Sequence, residues 1–119
     1  MIASARQRAR RAQVRLSLTE SQAETARRLL RDDRRQLEAA KQLLRECRRE
    51  LHEALAGPVP DSAEVLELTL QERLLQGRER ALSARLEAEL ERLLRPEQVL
   101  RLRALPPAAV GALLGRICA

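Results

Sequence analysis

The chain contains no phenylalanine, tyrosine or tryptophan. That absence removes the rings on which single-stranded bases stack, the aromatic box that holds a cation, and the anchors that dominate tight protein interfaces. Cysteine is scarce: Cys47 and Cys118 are the only two. They are too far apart for a disulfide framework and leave the redox compartment open. No stretch approaches the roughly 20 apolar residues that span a bilayer. Met1 leads into arginines instead of a hydrophobic run, so no secretory signal peptide is expected in this chain. There is no Gly-rich phosphate loop, and Ser17, Ser21, Ser62 and Ser83 fall at caps or inside helical patterns away from His52, so no triad and no enzyme are expected.

What is present is leucine, alanine, arginine and glutamate, the composition of long helices and coiled coils. A chain of 119 residues has room for one domain with a thin core, and self-association would help it. The net charge of +6 is concentrated at one end. Arg6, Arg8, Arg10, Arg11 and Arg15 precede every acidic residue; the remaining 18 of the 23 basic side chains meet 17 acidic ones over residues 16–119. Residues 1–15 therefore read as a basic mobile arm suited to anionic lipid headgroups or nucleic-acid phosphates.

Beyond the arm, Leu30, Leu37, Leu44 and Leu51 recur every seven residues, with Ala26, Ala40, Cys47 and Ala54 on the adjoining seam and Asp33 interrupting it. Gly57-Pro58-Val59-Pro60 stops this helix and predicts a hairpin turn. Asp61 to Glu64 has the spacing of a capping box that opens a second helix. Its apolar positions are Val65, Leu68, Leu75, Leu82, Leu86 and Leu93, with Glu72 and Glu79 between them. Leu66, Leu70, Leu74 and Leu90 are expected to widen that stripe. Pro96 starts a short third helix, and Pro106-Pro107 breaks the chain before an apolar tail, residues 106–119. The fold expected is all-α: a long antiparallel helical hairpin with a short third helix, paired as a homodimer.

The most informative local feature is Leu18-Thr19-Glu20-Ser21-Gln22. Thr19 is placed to accept from the backbone N–H of Gln22, and Gln22 to reach back to the N–H of Thr19. A second copy, Leu94-Arg95-Pro96-Glu97-Gln98, opens the third helix, with Arg95 where the first copy has threonine. Two such copies bracketing a long helical hairpin over residues 16–105 resemble the LTxxQ family of bacterial envelope-stress proteins, which includes Spy, CpxP, ZraP and the CnrX-like heavy-metal sensors. The resemblance implies a curved homodimer in the periplasm. It implies an ATP-independent chaperone for unfolded clients, a sensory adaptor for a regulator, or a metal-responsive sensor.

For the last of these the ligands are few. Cys47 and His52 are the weak metal candidates, five residues apart and therefore about 140° apart around a helix. Arg48 and Arg49 beside them oppose a cation, so no metal, other cofactor or small-molecule substrate is expected. The candidate client or partner surface is the basic side of the first long helix: Arg27, Arg31, Arg34, Arg35, Arg45 and Arg48. Such a surface bordering exposed leucines would attract acidic or apolar client segments. The alternative to the periplasmic reading is a cytoplasmic coiled-coil adaptor whose arm binds nucleic acid.

Overall fold

The computed structural model describes residues 4–118, the side chains of 12–15 excepted. These residues are all-helical: α1 (Ala5–Leu16), α2 (Glu20–Ala56), α3 (Ser62–Arg92), α4 (Pro96–Arg103) and α5 (Pro107–Ile117), with no strand among them. Two compact units result, one from the chain up to Arg34 together with Arg85 onward, the other from Arg35–Ala84.

In the first unit, α1 occupies most of the segment expected to be a mobile arm. It opens with a capping box: Ser4 Oγ accepts from the N–H of Gln7 at 3.2 Å, and the N–H of Ser4 donates to Gln7 Oε1 at 3.0 Å. The arm's composition offers little to bury alone, and α5 supplies what it lacks. Ala9 and Leu16 of α1 are buried, as are Val110, Leu113, Leu114 and Ile117 of α5, and the two helices pack together, with a lighter contact from α1 to α4. The tail is thus a helix. Pro106 is extended and Pro107 takes the first helical position, where its missing N–H is no loss.

The rest of this unit's core is Ala26 and Leu30 of α2, Leu86 and Leu90 at the end of α3, Gln98 and Leu102 of α4, and Leu105. Asp33 is buried among them, 3.5 Å from Arg85 Nε. Arg103 grips Glu91 with two donors, Nε at 3.0 Å and Nη2 at 3.2 Å, tying α4 to α3. That hydrogen bond holds the Glu91 carboxyl below its ordinary value. The small stability it lends is present above the ordinary carboxylate range and is lost as pH falls through the lowered value.

In the second unit, Leu37, Ala40, Leu44 and Cys47 of α2 and Leu68 of α3 are buried, which is a thin core. Cys47 Sγ donates to the carbonyl of Leu68 at 3.4 Å, and Arg48 Nε lies 3.9 Å from Glu72. Asp61 Oδ1 accepts from the N–H groups of Ala63 and Glu64 at 2.9 and 3.4 Å, capping α3 as its sequence predicts. Leu66, Leu70 and Leu74 do not widen the buried stripe. They are 61%, 51% and 76% exposed, because at 100° per residue they fall about 160–240° around the helix from Leu68.

Candidate functional site

The two copies of the L-x-x-x-Q segment meet in the first unit. Thr19 Oγ1 accepts from the N–H of Gln22 at 3.1 Å, and the N–H of Thr19 donates to Gln22 Oε1 at 3.1 Å. In the second copy the N–H of Arg95 donates to Gln98 Oε1 at 3.0 Å. A guanidinium has no acceptor, so Arg95 gives no side-chain cap; the N–H of Gln98 uses the Arg95 carbonyl instead, at 2.9 Å.

The glutamines then bond to each other. Gln22 Nε2 donates to Gln98 Oε1 at 2.9 Å, and Gln98 Nε2 donates to Gln22 Oε1 at 3.2 Å. Each amide also reaches the chain ahead of the other copy. Gln22 Nε2 donates to the Leu93 carbonyl at 3.3 Å, and Gln98 Nε2 to those of Leu16 and Ser17 at 3.0 and 3.2 Å. Gln98 is 0% exposed. The capping box at Thr19 and its half-copy at Arg95 are thereby one reciprocal clasp that joins the starts of α2 and α4 and the end of α1. Leu18 and Leu94 are half-buried beside it, while Pro96 and Glu97 are exposed, Glu97 pairing with Arg95 at 3.3 Å.

Ser17, between α1 and α2, has φ 55°, the left-handed region, and that bend aims its carbonyl and that of Leu16 at Gln98. Thr19→Ala removes the acceptor for Gln22 while leaving the amide pair, so a loss of about 1 kcal/mol is expected in urea unfolding.

The basic residues of α2 divide between the units. In the first, Arg27 Nε donates to the carbonyl of Ile117 at 2.9 Å and its Nη1 to Glu24 at 2.9 Å. Arg34 is half-buried, and a Cβ added at Gly115 would stand 3.3 Å from its Nη2. These two arginines thus meet the C-terminal end of α5, where carbonyls lack helical partners and the helix dipole favours cations. Arg31 is exposed. Desolvation pushes the Cys118 thiol above its ordinary value, against the opposing pull of Arg34, Arg31 and Arg27.

In the second unit, Arg45 Nη2 donates to Gln42 at 2.7 Å, Arg48 faces Glu72, and Arg35 is exposed. Cys47 is buried and His52 exposed. Burial raises the Cys47 thiol above its ordinary value, with Glu72 and Glu50 adding to the effect. No group of three or more His, Cys, Asp or Glu residues is arranged to hold a metal ion among the described residues.

Sequence reasoning treated the two motif copies as separate caps and missed their pairing. It also missed the Ser4 to Gln7 box, although the Ser-x-x-Gln spacing that marks it is the pattern singled out at Thr19. A groove of about 260 Å³ is lined by Glu87, Glu91, Leu102, Arg103, Leu105, Pro107 and Val110. Glu91 and Arg103 satisfy each other there. No helix of the described residues is long and apolar enough to cross a membrane. No protein-family model, curated protein or solved structure matches the chain.

Proposed function

We propose that this chain is a non-enzymatic, stress-related binding protein of the LTxxQ kind. In this reading it is a long antiparallel helical hairpin, paired as a homodimer, that holds partly unfolded protein or a regulator in the periplasm. The contacts of Cys47 with Leu68 and of Arg48 with Glu72 support the hairpin, and the clasp gives the paired L-x-x-x-Q segments a physical role.

The observation that carries the binding role is large apolar side chains held in the open beside arginines. Leu29, Leu43 and Leu100 are half exposed or more, and exposed Arg28, Arg45 and Arg101 stand within two residues of them. An apolar side chain left in water adds nothing to folding, and beside a cation it offers a client both area and attraction.

The test is aggregation of an unfolding client, followed by light scattering with and without zinc or nickel. Suppression without metal is expected, and Leu29→Ser with Leu43→Ser should weaken it. Absence of suppression, together with a metal-dependent change in helicity, would instead make the protein a sensor using Cys47 and His52.

One observation favours a second reading. Arg6, Arg10 and Arg11 of α1 are all exposed, and α1 contains no acidic residue. That face suits nucleic-acid phosphates or anionic lipid. Binding of DNA or of phosphatidylserine vesicles that weakens steeply with salt, and is lost in a triple alanine variant of those arginines, would establish it.

A further inference from the structure

The turn between α2 and α3, which lies wholly in the second unit, differs in charge from the rest of the chain. Lysine and arginine make up 23 of the 119 residues, yet none falls from Glu50 to Glu67, where Glu50, Glu53, Asp61, Glu64 and Glu67 supply five carboxylates. His52 is the one other titratable side chain in that stretch. All five carboxylates are exposed. Asp61 caps α3, and the other four have no hydrogen bond or ion pair among the described residues. The basic side chains just outside do not neutralise them. Arg48 is turned to Glu72, and Arg49, one turn before Glu53, makes no ion pair with it.

Between these carboxylates lies uncovered apolar surface. Val59 is 87% exposed and Leu55 55%, and Ala56, Pro58 and Pro60 beside them are exposed as well. The end of α2 adds unanswered acceptors. Both α4 and α5 close with a backbone N–H returning to a late carbonyl and with arginine in the last turn. α2 has neither: no backbone N–H beyond it returns, and its last turn holds Glu53 and no basic residue. A carboxylate at a helix C-terminus stands at the wrong end of the dipole. α2 therefore ends at a place that favours a cation which the chain itself does not bring.

We propose that this acid-bordered apolar turn is a docking surface for a basic, leucine-bearing segment of another protein. Leucines of such a segment would cover Val59 and Leu55. Its ammonium or guanidinium groups would meet the carboxylates and the open carbonyls of α2, their methylene stems lying along the same apolar surface. The five carboxylates suit a row of cations better than a single ion, since no three acidic, histidine or cysteine side chains are gathered to hold a metal among the described residues. Exposed ion pairs are individually weak and screened by salt, and the apolar surface is small beside the roughly 800 Å² per partner of a standard interface. Binding is accordingly expected to be weak and salt-dependent. The polarity is opposite to that of the arginine-bordered leucines proposed to hold clients, and the inference does not depend on that reading.

The test is fluorescence anisotropy of a labelled amphipathic peptide of leucine and lysine titrated with the full chain. A serine and lysine peptide of equal charge and a leucine and glutamate peptide of equal apolarity serve as comparisons. The leucine and lysine peptide should bind most tightly, and added salt should weaken it. Glu50→Gln combined with Glu53→Gln should weaken it about fivefold or more, and so should Val59→Ser alone, with helicity by circular dichroism unchanged. Equal binding of either comparison peptide would overturn the proposal, because charge or apolar surface alone would then account for it. Binding that ignores both variants would overturn it by placing the peptide elsewhere on the chain. A fall in the chain's own mass in sedimentation velocity on Val59→Ser would show the turn covered by a second copy and would overturn it too. Client aggregation is read in parallel: loss of peptide binding with suppression intact supports the docking surface, whereas absence of suppression in the unsubstituted chain counts against the proposed function alone.

Discussion

Replacing Gln98 with alanine should destabilise the first unit more than any other single change. The side chain is fully buried and serves five partners at once: the N–H of Arg95, both ends of the Gln22 amide, and the carbonyls of Leu16 and Ser17. Alanine satisfies none of them and leaves a cavity where the amide stood. A buried group left without its partner costs about 1–3 kcal/mol. Even with some partners turning to water, a total of about 3–5 kcal/mol is expected, a large share of the stability of a chain this size. Urea unfolding followed by circular dichroism measures it.

Gln98→Glu refines the test. At neutral pH the carboxylate would face two carbonyl oxygens, so the folded state would prefer the protonated acid and raise its pKa above the unfolded value. Stability of this variant should be fullest below about pH 4, where the group is neutral in both states, and should fall as pH rises through the raised folded value. A flat pH profile for Gln98→Glu would show that the clasp opens rather than buries the charge.

The second large effect is expected at Leu113. It is fully buried in α5, the helix against which α1 packs. Leu113→Ala should cost about 2–5 kcal/mol through lost burial and the cavity left behind. Leu74→Ala, removing the same side chain from an exposed site of α3, should stay within about 0.5 kcal/mol. Amide exchange adds a spatial readout. Protection in α1 should fall in Leu113→Ala before protection in α3 does, because α1 brings few large apolar groups of its own and depends on α5. If Leu113→Ala left α1 protected, the packing of α1 on α5 would not be what orders it.

The helical character of the chain was legible from periodicity alone. Leu30, Leu37, Leu44, Ala26, Ala40 and Cys47 are buried where the seven-residue spacing puts them. Thr19 and Asp61 cap as their spacing foretells. What escaped the reading depended on contacts distant in the chain. α1 has too little leucine to predict its own burial, and only the apolar face of α5 gives it somewhere to lie. Pro106-Pro107 marks a stop in the sequence, but a proline that cannot continue one helix is well suited to begin the next. The outward turn of Leu66, Leu70 and Leu74 lay within reach of counting by 100°; an unbroken supply of leucine on α3 concealed it, since a helix apolar on many sides carries no directional signal. Of the candidate client residues, Arg27 and Arg34 prove to be occupied with α5, and no spacing rule announces a contact between residues 27 and 117.

The glutamine clasp has a consequence for the conditions in which the molecule can work. It is a fastening without net charge: five hydrogen bonds donated by the two amides, besides those at the helix starts, none of which titrates between acid and neutral pH or weakens with added salt. The exposed ion pairs elsewhere respond to both. Acid or brine can therefore loosen the surface attachments of this protein one by one while the joint that gathers α1, α2 and α4 keeps its grip.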